Sequence, residues 1–305
     1  MAQSAIRTTV AKYKTILQNE GKWIRPRFKK PVAELVWNRD YSLSSRFSLG
    51  TIKGRIKVAF YTSGTEKCFR ESARFGTATL LTRHGKWYLH IPVTLDVHDF
   101  HLETLSNLDE ANVVGVDLGM NHLAVSYDSA GRTTFYHGRS VKQKRAHYKQ
   151  LRKQLQHRQT SSARRRLKAI GQRENRWMCD VNHCVSKALV ASQPQGALFV
   201  LEDLTGIRAA TEKVRLHDRY TQVSWAFFDL RSKIKYKASL YSCLSMVIPP
   251  QYTSQACPCC GCICATNRDK RNHRFACKAC GYRSNDDRVA AMNIRYKGIE
   301  YLETA

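Results

Sequence analysis

A chain of 305 residues, 43% of them hydrophobic, is long enough for one large domain or two ordinary ones and too apolar for wholesale disorder. Charge is the outlier: 51 Lys and Arg against 24 Asp and Glu give a formal net charge of +27, which favours a nucleic-acid partner, because neutralising phosphates releases their counterions, over a ribosomal-type structural protein or a membrane-surface binder, neither of which charge alone excludes. There is no run of about 18 apolar residues to span a membrane, and the opening MAQSAIRTTVAKYKTILQNEGKW lacks the apolar core of a signal peptide.

In chain order, residues 4–18 place Ile6, Val10, Tyr13 and Leu17 at helical spacing. From about 32 to 97, segments such as RIKVAFY and KWYLHIPVTL alternate or are β-rich, with His84-Gly85 as a hairpin turn. They predict a small antiparallel β-module. VVGVDLGMNHLAVSYD, residues 113–128, reads as a β-hairpin with Asp117 on its first strand. Residues 139–176 carry 14 Lys and Arg and one acid, Glu174. Leu151, Leu155, Leu167 and Ile170 supply apolar anchors there, so long basic helices are predicted. Next come an amphipathic helix over 181–192, a buried strand over 197–204 ending in acids, a helix over 224–240 and a strand over 244–250. NDDRVAAMNIRYKGIEYL closes the chain as a helix. From 113 onward buried strands alternate with helices, which predicts a mixed sheet with helices packed on it.

Seven of the eleven cysteines crowd into residues 257–280. Cys257-x2-Cys260 and Cys277-x2-Cys280 are separated by sixteen residues, and a glycine follows each pair. Two such knuckles present four thiolates tetrahedrally, the donor set of a structural zinc ion in a reducing compartment. Cys259, Cys262 and Cys264 are surplus thiols able to compete in ligation, and Cys68, Cys179, Cys184 and Cys243 read as packing. The basic loop between the pairs, ATNRDKRNHRF, suits either contact with nucleic acid or a purely structural knob. In the basic stretch, fourteen cations against one anion would repel without a partner. That favours phosphate contact over a merely solvated face.

Acids stand at three telling places. Phosphodiester cleavage needs an activated water and charge neutralisation, which two divalent ions about 4 Å apart supply when several carboxylates hold them. Asp117 lies within an apolar run, Glu202 ends another, and Asp286 and Asp287 begin the last helix, where either could simply be a cap. A charge in the middle of VVGVDLG is costly unless it binds something.

GVDLGMNHLAVS, LFVLEDLTGIR and the cysteine ribbon followed by NDDRVAAMNI come in this order across 113–298, with WAFFDLRSKIKYKASL and PPQYTSQACPCCG leading into the ribbon. Together they resemble the three split RuvC motifs of the TnpB family of transposon-encoded nucleases (the OrfB type of IS200/IS605 elements), related to the type V Cas12 effectors. The resemblance implies an α/β fold: an RNase H-like (RuvC) core with an inserted zinc ribbon and basic helices, preceded by a small β-barrel-like module. It implies Asp117 as the first metal ligand, bridging two ions, Glu202 as the second and Asp287 as the third. The family's third motif usually reads Asp, one residue, Asn-Ala-Ala; Val289 stands here where Asn is usual, and Asp286 is the neighbouring alternative. Implied cofactors are structural Zn2+ at Cys257, Cys260, Cys277 and Cys280, and catalytic Mg2+ or Mn2+.

The implied function is RNA-guided DNA cleavage, with a DNA target and a guide RNA from the transposon end as partners, no membrane, and a cytoplasmic, nucleoid-associated location in a prokaryote. The basic helices would contact the guide–target heteroduplex through its backbone geometry. The implied domains are 1–31, the remnant of a helical recognition lobe; 32–110, a wedge-like β-module for the guide scaffold; and 111–305, the split nuclease, with basic helices at about 139–178 and the ribbon at about 253–283. The family usually has an earlier strand and a longer lobe, so the chain reads as shortened. Alternatives are a truncated or cleavage-deficient guided DNA-binding protein, against which the intact acids argue, and a transposase that joins strands in DNA recombination, which a strand-transfer assay would separate. A zinc-ribbon RNA-binding protein leaves Asp117 and Glu202 unexplained.

Overall fold

The computed structural model describes residues 2–28, 32–62, 73–83, 85–95, 112–203 and 227–304. Two compact units divide the chain, residues 1–96 and 97–305.

The first unit opens with helix α1 (Ala2–Glu20). Strands β1 (Val32–Leu35), β2 (Tyr41–Leu43), β3 (Phe47–Thr51), β4 (Gly54–Val58), β5 (Arg74–Phe75), β6 (Ala78–Arg83), β7 (Lys86–His90) and β8 (Val93–Thr94) follow. β6 and β7 form the expected hairpin around Gly85, whose φ of +75° suits a residue without Cβ; His84 lies outside the described residues. The expected barrel is not found. Among the described residues the strands make three separate sheets, β1-β6-β7, β2-β3-β4 and β5-β8, with no closed barrel. Side-chain pattern gives the reason. The strands are two to six residues long, and β4, with Arg55 and Lys57, leaves every residue exposed, so little inward apolar face exists to wrap. Leu35, Tyr41, Phe47 and Ala78 form the small core.

In the second unit β9 (Val113–Asp117), β10 (His122–Tyr127), β11 (Thr133–His137), β12 (Leu198–Glu202) and β13 (Leu244–Ile248) build one five-stranded sheet in the order β11-β10-β9-β12-β13. β11, β10 and β9 pair antiparallel, whereas β9, β12 and β13 run parallel. Helices α2 (Arg139–Arg158), α3 (Ser161–Ala191), α4 (Phe227–Leu240) and α5 (Asp286–Thr304) complete the unit, with the short strands β14 (Arg268–Asp269), β15 (Arg274–Ala276) and β16 (Arg283–Asn285) in the ribbon. The two predicted helical stretches at 139–176 and 181–192 divide elsewhere. Gln159, left-handed at φ 50°, ends α2, and Thr160 Oγ1 caps α3 by accepting from the Ala163 amide at 3.2 Å. From there α3 runs unbroken to Ala191. Its buried residues Ile170, Glu174, Met178, Asn182, Ser186 and Leu189 recur at helical spacing. The start of the predicted 224–240 helix, 224–226, and the end of the 197–204 strand lie outside the described residues.

Period-two alternation sorts the sheet's side chains between two layers. Val114 and Val116 of β9 and Phe199 and Leu201 of β12 pack with Leu189, Leu230 and Ile234 on the side of α3 and α4. Val113, Leu198 and Val200 pack with Ile294 of α5 on the other. Each such fully buried aliphatic side chain contributes about 1.5–3 kcal/mol. No described helix is long and apolar enough to cross a membrane.

Candidate active site

Alternation decides where the acids point. Asp117 falls in step with Val113 and Gly115, and Glu202 with Leu198 and Val200, so both face the α5 side at the carboxyl ends of adjacent parallel strands. α5 crosses β9 there at unusually short range. A Cβ on Gly115 would lie 2.0 Å from the Ala291 carbonyl oxygen and 2.6 Å from the Arg295 amide nitrogen, and one on Gly298 would lie 2.5 Å from Val200 Cγ2. Only glycine allows that approach. Arg295 Nε adds a buried hydrogen bond to the Val113 carbonyl, at 3.0 Å. With Ala291 fixed over Gly115, the first turn of α5, one turn earlier, falls beside Asp117.

That first turn is capped by Asn285, whose Oδ1 accepts from the Asp287 and Arg288 amides at 3.0 and 3.1 Å. Its two acids then differ. Asp286 is fully buried and spent on internal bonds: Arg268 Nε donates to it at 2.8 Å, His273 Nδ1 lies at 3.3 Å, and the Asp287 amide donates to its Oδ1 at 3.0 Å. Asp287 takes His122 Nδ1 at 2.7 Å, has Arg268 Nη2 at 3.7 Å, and acts on Asp117 more strongly than Asp286 does. The geometry therefore favours Asp287 over Asp286 as partner of Asp117 and Glu202. Val289, at the usual Asn position, is buried with Cys257, Phe275 and Cys277 and joins the ribbon to α5.

Burial, then the charges of Glu202 and Asp287, push the Asp117 carboxyl well above the ordinary carboxylate range, with Arg268 opposing. Burial also raises Glu202, against a hydrogen bond from the Thr253 hydroxyl and the charges of Lys297 and Arg268. A buried carboxyl raised further by neighbouring acids is a candidate position for a cation. Asp117 and Glu202 do not belong to the tightest acidic cluster among the described residues, His273, Asp286 and Asp287, whose ligand atoms lie within 4.8 Å of one another.

The cysteine set is closer to a finished site. Ligand atoms of Cys257, Cys260, Cys277 and Cys280 lie within 4.8 Å of one another. Sγ–Sγ distances are 3.6 Å for Cys257–Cys280 and for Cys260–Cys277. A disulfide would bring the sulfurs to about 2 Å, whereas tetrahedral bonds of about 2.3 Å to one zinc put them about 3.8 Å apart. The Cys280 amide donates to Cys277 Sγ at 3.5 Å and helps lower that thiol to about 6. Cys280 is pushed up to about 12 by burial and by its neighbouring sulfurs, despite a backbone bond from Tyr282. Four thiolates this close need a cation, so the donor set fits zinc. Cys259, Cys262 and Cys264 stand outside the set.

Several contributors escape sequence reasoning. Arg268 and His273 belong to the basic loop that suits either nucleic acid or a structural knob, and both turn inward onto Asp286. Thr253 joins Glu202 to α5, because its hydroxyl donates to the acid while its carbonyl accepts from Asn293 Nδ2 at 2.7 Å. Lys142 Nζ donates to Asn121 Oδ1 at 2.8 Å, and Asn121 Nδ2 meets His273 Nε2 at 2.7 Å, linking α2 to the loop after Asp117 and to the ribbon. Loop residues in a turn or ribbon carry no periodicity, so only their partners in space reveal them.

Known proteins share sequence and fold with this chain. A family model described as "Probable transposase" (OrfB of IS605) matches residues 90–205, and the Cas12f1-like TNB domain matches residues 227–294. The CRISPR-associated endodeoxyribonuclease Cas12f1 of Syntrophomonas palmitatica is 33% identical over 226 residues, 70% of this chain and 42% of that protein. The TnpB-like protein MJ0751 of Methanocaldococcus jannaschii is 32% identical over 123 residues, 40% of this chain and 43% of that protein. In fold, the chain is similar to the mini-RNA-guided endonuclease CRISPR-Cas phi3, with a TM-score of 0.56 at 11% identity, covering 82% of this chain and 57% of the other. The chain is thus similar to the TnpB family of transposon-encoded proteins and to the related Cas12 effectors. It spans about half the length of these curated relatives or less.

Proposed function

We propose that this protein is an RNA-guided DNA endonuclease of a transposable element, cutting DNA by two-metal-ion hydrolysis in an RNase H-like (RuvC) core. The observation that carries this reading is the convergence of Asp117, Glu202 and Asp287, from three distant segments, at one end of the mixed sheet under the start of α5. Its strand order and strand directions suit an RNase H-like core. The relatives' names, an endodeoxyribonuclease and a TnpB-like protein, support the choice of DNA cleavage over simple binding.

In this reading Asp117, Glu202 and Asp287 would together hold the Mg2+ or Mn2+ ions. Bound ions supply an activated water and neutralise charge on the phosphate. Thr253 holds Glu202, Asn285 fixes the first turn of α5, and Arg268 keeps Asp286 from competing. Cys257, Cys260, Cys277 and Cys280 would hold a structural Zn2+, which would stiffen the ribbon carrying Arg268 and His273. α2 and the first half of α3 present cations to the phosphates of the guide–target heteroduplex, since the one acid of residues 139–176, Glu174, is buried between Arg145 and Arg152. We assign 1–31 to a recognition-lobe segment, 32–110 to the guide scaffold and 111–305 to the nuclease, acting in a prokaryotic cytoplasm on nucleoid DNA.

The test is to purify the protein from its native locus and sequence the RNA that accompanies it. One discrete RNA from the transposon end is expected. Random cellular RNA alone would overturn the guided reading.

A further inference from the structure

We propose that His122 is a positioning residue for the third carboxylate, holding Asp287 in the orientation that receives a divalent cation; this inference rests on the nuclease reading above. Its Nδ1 lies 2.7 Å from Asp287 Oδ2, joining the strand after the first motif to the helix of the third. An ionised carboxylate can only accept, so Nδ1 carries the proton and donates it. The torsion at the end of an aspartate side chain is soft. A donor on one oxygen therefore sets which lone pairs remain for a cation.

The imidazole is itself held. Its side chain is 18% exposed, with the ring centroids of Phe135 at 4.9 Å and His137 at 5.2 Å. The β10–β11 ladder shifts register between His122 and Ala124. Such bulges recur beside active sites, where the extra residue re-aims a side chain. A bulge at this position, an aromatic seat and a short bond to a proposed ligand are separate features that share one consequence, a fixed Asp287. The other oxygen, Oδ1, has Arg268 Nη2 at 3.7 Å, beyond ordinary hydrogen-bond distance.

The experiment uses the full chain with its RNA, comparing wild type, His122→Phe, His122→Asn and Asp287→Asn. Phenylalanine keeps a ring and removes the donor, whereas asparagine places an amide N–H near the Nδ1 position. Mn2+ binding is read by the electron paramagnetic resonance of the unbound ion, and cleavage is followed against Mg2+ concentration. His122→Phe should weaken Mn2+ binding and raise the half-saturating Mg2+ by about 10–100-fold, the usual cost of losing a residue that orients a metal ligand. Turnover at saturating metal should stay within about threefold, and His122→Asn should return the metal dependence to within about threefold of wild type. If the Phe chain does not fold, His122→Leu carries the same comparison. Wild-type Mn2+ binding in the donor-free variant overturns the proposal, as does an Asn variant that rescues nothing, because a donor restored near the Nδ1 position would then do nothing for the metal. Unchanged Mn2+ binding in Asp287→Asn would instead sink the assignment of the third acid. Loss in Asp287→Asn with wild-type behaviour in His122→Phe sinks only the role of the histidine.

Discussion

Burial and the charges of Glu202 and Asp287 hold the Asp117 carboxyl above its ordinary range, so folding without metal disfavours its ionisation. A group whose pKa rises on folding contributes its full stability below the unfolded value, about 3.9 for Asp, and that contribution is lost as pH climbs through the folded value. Metal-free Asp117→Asn should therefore melt with wild type near pH 4 and progressively above it toward pH 8. Saturating Mg2+ added to wild type should close the gap. Thermal melts across that range, with and without the metal, check this, and an Asn variant that melts below wild type at pH 8 would contradict it. In the proposed function that same residue would be a metal ligand, a trade expected where ligands are gathered before their ion.

At the scale of elements, the site depends on how closely α5 lies against β9. Gly115→Ala places a methyl carbon 2.0 Å from the Ala291 carbonyl oxygen, and backbone cannot yield as a flexible side chain would. The substitution should destabilise the unit by about 3 kcal/mol or more, at the upper end of overpacking. Cleavage should be lost with it, since Asp287 moves with the helix. A Gly115→Ala chain with wild-type melting would show that α5 does not pack as described.

The ribbon makes a parallel case. Cys277→Ser or a strong chelator should release zinc and lower cleavage as Arg268 and His273 leave Asp286, which zinc content measured beside activity will show. Undiminished cleavage by zinc-free protein would sever the ribbon from the site.

Much of this is legible in the sequence. The acids, the four cysteines and the order of strands and helices from 113 onward stand out because a charge in an apolar run and paired thiols are local patterns. β11 does not: TTFYH lies partly exposed at the sheet edge and lacks an apolar signature. The break at Gln159 rests on one left-handed residue. The β-module's division into separate sheets depends on long-range pairing that short alternating segments do not specify. His122 and Arg268 act only through partners far away in sequence.

Across the whole molecule, the net charge of +27 makes affinity for nucleic acid a matter of salt. Replacing the exposed Arg164, Arg165 and Arg166 by Ser should weaken binding evenly across sequences. It should also lower the slope of log affinity against log salt by up to about 3, close to one for each phosphate no longer neutralised. Titrations from low to moderate salt measure this, and an unchanged slope would place the phosphates elsewhere on the surface.

The central claim, a metal-dependent DNA-cutting site built on Asp117, is tested most directly by one comparison. Wild type and Asp117→Asn, each purified with its RNA, are incubated with matching DNA with and without Mg2+, and cleavage and DNA binding are measured on the same samples. Wild type should cut only with the metal, and Asp117→Asn should lose about a thousandfold or more in cleavage, several kcal/mol of transition-state stabilisation, while binding DNA as wild type does. Equal cleavage by the two proteins, or cutting that ignores the metal, would contradict the account.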